Sequence, residues 1–122
     1  MTTTHYNFPR QARLLSRSQY ETVFNHANCR SSDHSLTVLA RQNGSLQARL
    51  GLAIGKRSGK TAVARNRIKR LVRESFRLHQ MELQGLDIVV LGRDTTQQTS
   101  NPELRESLHK HWQRVAHKCA KC

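Results

Sequence analysis

Residues 61–77, TAVARNRIKRLVRESFR, carry six cations, Arg65, Arg67, Lys69, Arg70, Arg73 and Arg77, against one acid, Glu74. The stretch reads as a helix, yet Arg70, Arg73 and Arg77 follow one another at the i, i+3 and i, i+4 spacings. There, like charges destabilise a helix by a few tenths of a kcal/mol per pair. An anion from outside the helix would offset that repulsion. The helix start points the same way: Ala62, Val63 and Ala64 place no carboxylate in a first turn that favours one, and Arg65 and Arg67 follow directly. Free backbone donors beside arginines make a phosphate site.

Other chemistries find less support. A protein nuclease working through two metals needs converging carboxylates to hold ions about 4 Å apart, and the eight acids are scattered singly apart from Glu103 and Glu106. No recognisable nucleophile motif marks a Ser/His or Cys/His hydrolase. Cys119-x-x-Cys122 with His117 nearby lacks the second pair a structural zinc site uses, so these cysteines read as solvated tail thiols and no metal ligands are assigned. The seven histidines show no zinc-protease spacing and read as surface or incidental residues. Three cysteines are too few for a disulfide-dense scaffold and suit a reducing cytoplasm.

The whole chain has the same bias, with 21 Lys and Arg against 8 Asp and Glu and a formal net charge of +13 in 122 residues. A polyanionic partner is expected. Nucleic acid is preferred to a membrane surface because no basic amphipathic anchor with an aromatic face is present. The longest apolar run, Ile88 to Leu91, is far too short to span a bilayer. MTTTHYNFPRQ has no apolar signal-peptide core, so export is not expected. The length suits one domain over 1–122, with 1–12 and 118–122 expected to be flexible.

The elements that must position the cations are legible in part. Ser18 and Glu21 suggest a capping box for a short first helix, with Tyr20, Val23, Phe24 and Ala27 on one stripe. Residues 34–41 and 47–55 are strand-like, and Asn43-Gly44 between them is a hairpin signal, so two paired antiparallel strands are predicted. The basic helix should run to about Gln80, and 86–93 reads as a buried strand. Pro102 suits the first position of a last helix that aligns Leu104, Leu108, Trp112 and Val115. At about 100° per residue, Ile68, Leu71, Val72, Ser75 and Phe76 share one face of the basic helix, with Asn66, Arg70, Arg73 and Arg77 opposite. Nine of the 21 cations fall between Lys56 and Arg77. The bland alternative is an ordinary solvated helix face, but such a face usually interleaves acids.

ARNRIKRLVRESFR, preceded by GLAIGKR, resembles the signature of the bacterial ribonuclease P protein component, and LLSRSQYETVF is similar to that family's first-helix pattern. The resemblance implies an α+β fold, a single-domain α/β sandwich like the second domain of ribosomal protein S5, with a left-handed strand–helix–strand crossover against the general right-handed rule. It implies a protein that assists a catalytic RNA in the Mg²⁺-dependent removal of the 5′ leader from precursor tRNA, the Mg²⁺ being held mainly by the RNA. The implied partners are that RNA and precursor tRNA, with no membrane and no obligatory protein partner. By position, Arg65, Asn66, Arg67, Lys69, Arg70 and Arg73 match the RNA-contacting helix motif. Tyr20 and Phe24 match aromatic positions bordering a cleft for the single-stranded leader, where rings stack on bases of any sequence. Lys56 and Arg57 match a basic pair at a strand end. The chain departs from the commoner pattern in Tyr20, Arg57 and the linker RSGKTAV. From the residues alone, Tyr20 and Phe24 could equally be core, whereas Phe76 and Trp112 are assigned to it. A general RNA-binding or ribosomal protein with the same sheet and basic helix is the other class of reading.

Overall fold

The computed structural model describes Arg13 and residues 16–120. In chain order the elements are α1 (Arg17–His26), β1 (Cys29–Ser32), β2 (Leu36–Gln42), β3 (Arg49–Ala53), α2 (Ala62–Leu78), β4 (Leu86–Gly92) and α3 (Asn101–Ala120), with a 3₁₀ turn at Thr96–Gln98. The four strands form one sheet in the order β1-β2-β4-β3.

β4 sets that order. Leu86, Ile88 and Val90 join the cluster built with α2 and α3, while Val89 joins Val23 of α1 and Leu39 on the opposite face. A strand apolar on both faces belongs in the middle of a sheet. β4 therefore lies between β2, to which it is antiparallel, and β3, to which it is parallel. This corrects the hairpin expected at Asn43-Gly44, because β2 and β3 are not neighbours. Asn43 instead serves the intervening strand: its N–H donates to the Gly85 carbonyl at 2.8 Å and its Nδ2 to Asp87 Oδ1 at 2.9 Å. Asp87 also receives Arg49 from the adjacent position on β3, as a fork of 2.7 and 2.6 Å.

β1 has no signal in the sequence, since CRSS lacks apolar alternation. It pairs with β2 from Cys29↔Ala40 to Ser32↔Thr37, turning Cys29 and Ser31 inward and leaving Arg30 and Ser32 exposed. The helix caps also shift. α1 starts at Ser16, whose hydroxyl accepts from the Gln19 amide while Gln19 Oε1 accepts from the Ser16 N–H; Ser16-x-x-Gln19 satisfies the same capping rule as the pair expected two residues later. Before α3, Ser100 and Glu103 make reciprocal bonds, so Pro102 is the second helical residue rather than the first.

α2 and α3 pack on one face of the sheet. Ile68, Leu71, Val72 and Phe76 are buried, as the helical spacing predicts, and so are Leu104, Leu108, Trp112 and Val115. Phe76 meets Trp112 edge to face with ring centroids 6.1 Å apart, and the indole N–H donates to Ser75 Oγ at 2.8 Å. At the end of α3, Cys119 is buried and forms a disulfide with Cys29 of β1. It is not a solvated tail thiol, and residues 118–120, expected to be flexible, form the last turn of α3 because Cys119 faces the core. The other segments expected to be flexible, 1–12 and 121–122, lie outside the described residues, as does Cys122.

One histidine is far from incidental. His111 is fully buried, with Nδ1 2.7 Å from Ser31 Oγ and Nε2 3.2 Å from Asp33 Oδ2, the latter too oblique for a hydrogen bond. Serine, histidine and aspartate together suggest a hydrolase triad. Ser31 is only 3% exposed and His111 is 0% exposed, however, so no substrate reaches them and the network ties β1 to α3. Burial pushes the His111 imidazole below its ordinary 6.5, with neighbouring Asp33 acting in the opposite sense. Burial by itself would raise the Asp33 carboxyl. The Ser107 hydroxyl, the Leu36 and Ser35 amides and His111 outweigh it and lower Asp33 to about 2.

The sign of the pH dependence follows. Above pH 6.5 His111 is neutral whether the chain is folded or not; below it the unfolded chain takes up a proton that the folded chain resists, so stability falls as pH falls. The Asp33 contribution is complete above 3.8 and is lost as pH falls through about 2. Thermal melting should therefore show the melting temperature declining from pH 7 to pH 5, and His111→Gln should flatten that decline. Equal slopes in the two proteins would remove His111 from the account.

Candidate nucleic-acid interface

The Thr61 side chain caps α2 by accepting from the Ala64 amide at 3.0 Å, and the buried stripe then fixes the azimuth of every cation. Asn66, Arg70, Arg73, Glu74 and Arg77 line an open groove of about 440 Å³ on the outer side of the helix. Arg13 joins them, brought in by a parallel bridge to Leu50 at the edge of the sheet. No spacing rule along the chain could have found Arg13, because the bridge spans the whole first helix and two strands. Asn66, Arg70 and Arg73 are exposed, Lys69 and Arg77 partly so, and among the described residues none of these four cations makes an ion pair.

Two cations of the signature behave differently. Arg67 turns inward: Nη1 reaches the Thr99 carbonyl at 3.4 Å and Asn101 Oδ1, and Nη2 donates to the Gln97 carbonyl at 3.1 Å. Its guanidinium thus holds the 3₁₀ turn and the start of α3 against α2. Arg65 Nη1 donates to the Gly59 carbonyl at 2.9 Å and anchors the loop before the helix. The six signature residues, read from sequence as one contact set, divide into an outward group and a pair engaged within the fold.

A second concave surface lies on the opposite face of the sheet, where α1 packs. Val23 is the fully buried residue of α1. The Tyr20 ring lies on β3, where its hydroxyl accepts from the Leu52 amide at 3.1 Å. Only glycine fits beneath it, since a Cβ at Gly51 would stand 2.7 Å from Tyr20 Cε2. Phe24 is not core: it is 43% exposed and lines an open groove of about 510 Å³ with Asn28, Arg30, Thr37, Leu39 and Leu91. A separate opening at the end of β4 is lined by Arg57, Arg93, Asp94 and His34. Lys56 is exposed in the loop after β3 and makes no ion pair among the described residues, and Arg57 pairs with Asp94 at 3.0 Å on the open surface. The loop carrying them sits tightly on the strand, because Ser58 occupies the space a side chain at Gly92 would need. Sequence reasoning missed Arg30, which the unforeseen β1 delivers to the groove.

Fold and site together define a class: a small α+β domain with an outward row of unpaired cations on one helix and an aromatic-edged groove on the other side of the sheet. The comparisons with known proteins agree. The ribonuclease P family model matches residues 8–116. The chain is 45% identical over 118 residues to the ribonuclease P protein component of Marinomonas sp., covering 97% of this chain and 89% of the relative. It is 49% identical over 111 residues to that of Vibrio cholerae, covering 91% and 93%. Among solved structures, the RNase P protein of Thermotoga maritima superposes with a TM-score of 0.74 at 31% identity, over 84% of this chain and 96% of that one. The RNase P protein of Staphylococcus aureus shares the fold with a TM-score of 0.77, over 85% and 94% of the two chains. The chain belongs to the ribonuclease P protein family. It is thereby the protein subunit of an endoribonuclease complex involved in tRNA processing.

The division among the arginines is testable on the protein alone. Arg67→Ala leaves the Gln97 and Thr99 carbonyls and Asn101 Oδ1 without their donor, at a cost of about 1–3 kcal/mol, and should lower the melting temperature by several degrees. The double replacement Arg70→Ala, Arg73→Ala should leave the melting temperature unchanged or slightly higher. Equal losses in the two proteins would show that the inward and outward roles are not distinct.

Proposed function

We propose that the outer face of α2 binds the catalytic RNA of ribonuclease P, and that the groove beside α1 takes the 5′ leader of precursor tRNA. The observation that carries this reading is the row Lys69, Arg70, Arg73 and Arg77, which makes no ion pair among the described residues. Such a row repels itself until phosphates are supplied, and each phosphate neutralised releases counterions. Asn66 lies within the row and Arg13 extends it, while Arg65 and Arg67 hold the helix and its flanking loops in the geometry that presents it.

In the leader groove, Phe24 offers an exposed ring for base stacking with Arg30 beside it, Tyr20 lies one turn earlier on α1 with its hydroxyl bonded to Leu52, and Lys56 and Arg57 in the loop after β3 can take phosphates that run beyond the groove. Stacking tolerates any base, which suits leaders of varied sequence. The chain's own contribution is binding and charge neutralisation. Cleavage belongs to the RNA, with Mg²⁺ held mainly there. Protein cations relieve the phosphate repulsion that Mg²⁺ must otherwise screen. No obligatory protein partner goes with this reading, and so does a cytoplasmic location, which follows from the RNA partners and not from the cysteines, since Cys29 and Cys119 are bonded.

Reconstitution tests it. At low Mg²⁺, cleavage of precursor tRNA by the RNA subunit should rise strongly on adding this protein and much less at high Mg²⁺. The Arg70→Ala, Arg73→Ala protein should lose most of the gain. Equal rates with and without the wild-type protein at low Mg²⁺ would sink the assignment.

Phe24→Ala separates the groove from the cationic row. It removes a stacking contact worth about 1–3 kcal/mol but no charge, so binding to the catalytic RNA should persist while the preference of the assembled enzyme for precursor over mature tRNA falls. An unchanged preference would refute the leader role of Phe24.

A further inference from the structure

His79 and His109 are 30 residues apart in sequence, yet they meet where α2 ends against α3. His79 caps α2, and its Nδ1 lies 2.7 Å from the Ser75 carbonyl. A carbonyl only accepts, so Nδ1 carries the proton and the neutral ring keeps a lone pair on Nε2. That Nε2 faces His109 Nδ1 at 3.1 Å, with ring centroids 5.2 Å apart and planes inclined by 60°. Without a metal, His109 Nδ1–H donates to His79 Nε2.

The same nitrogen–nitrogen separation suits two ligands on one ion. With metal–nitrogen bonds of about 2.0–2.1 Å, two imidazole nitrogens stand roughly 2.9 Å apart at a right angle and roughly 3.4 Å apart at a tetrahedral one. The observed 3.1 Å falls between these values. The backbone carbonyl holding His79 Nδ1–H is the kind of outer partner that fixes tautomer and ring orientation in ligating histidines. His109 is exposed, so its ring can carry its proton on Nε2 toward solvent and free Nδ1 without losing a buried bond. Atoms balance: one N–H moves across the ring of His109, and no proton need leave the protein.

We propose that His79 and His109 form a binding site for a borderline divalent transition metal of the Zn²⁺ type, with water completing the coordination. Imidazole favours such ions over hard Mg²⁺. Among the described residues no group of three His, Cys, Asp or Glu side chains gathers anywhere, so this is a two-residue site of modest affinity. Its effect is mechanical. A bound ion clamps the C-terminal end of α2 to α3 beside the Phe76–Trp112 contact, and the stabilisation grows with free metal.

The test uses the full chain titrated with zinc chloride, with magnesium chloride as control. The wild-type protein should bind one more equivalent of Zn²⁺ than His109→Ala, and at a hundredfold excess over Kd its melting temperature should rise by roughly 5–10 °C. His109→Ala should lose that rise while keeping its circular dichroism, and His109→Cys, which restores a ligand, should recover it. Mg²⁺ should produce no difference between the proteins. Equal stoichiometry and equal melting shifts in wild-type and His109→Ala protein would overturn the site, as would a Mg²⁺ response matching that of Zn²⁺.

Discussion

The contact of Phe76 with Trp112, held by the indole hydrogen bond to Ser75, is the constraint on which the cationic face depends. With the buried Ile68, Leu71 and Val72 it sets the rotation of α2 about its own axis, and that rotation decides which cations face outward. The magnitudes show why the helix tolerates its charge. Repulsion between like charges one turn apart costs a few tenths of a kcal/mol per pair. Burying Ile68, Leu71, Val72 and Phe76 contributes about 1.5–3 kcal/mol for each side chain. Packing wins, and the unpaired cations are carried as a standing electrostatic load that a phosphate backbone can relieve.

The helix is also held from its flanks. Arg67 ties it to the segment before α3, Arg65 to the loop after β3, and Ser58 fits onto Gly92 at the end of the central strand. These bonds are short-range and directional, unlike the diffuse field of the outward row. A basic motif of this kind thus combines two physical tasks: some guanidinium groups saturate backbone carbonyls and make the surface rigid, while the rest remain available to a partner. A count of charges along the helix does not separate them.

Both faces of the sheet are committed because β4 is apolar on both sides. The face toward α2 and α3 holds most of the core, whereas the other is only partly covered by α1, which leaves Thr37, Leu39 and Leu91 to floor a groove that Phe24 edges. α3 is secured at intervals along its length by Ser107 and His111 on Asp33 and Ser31, by Trp112 on Ser75, and by Cys119 bonded to Cys29. Satisfying Asp33 through Ser107 and two backbone amides is what makes that buried polar network tolerable at neutral pH.

The sequence alone determined what depends on local periodicity. The 3.6-residue period separated Ile68, Leu71, Val72 and Phe76 from Asn66, Arg70, Arg73 and Arg77, and the structure keeps those two faces. β-branched residues between flanking glycines marked β4, and the RNRIKR core marked the family. Tertiary structure decided what depends on which distant segments meet. It placed β4 between β2 and β3, made a strand of polar Cys29–Ser32, turned Arg67 inward, brought Arg13 to the cationic row, and joined His111 to Asp33, Cys29 to Cys119 and His79 to His109. The physical reason is range. A residue's own turn or strand dictates its periodic neighbours, but a partner 30 or 90 residues away is chosen by the burial of both faces of β4 and the docking of α3, to which residue spacing along the chain is blind.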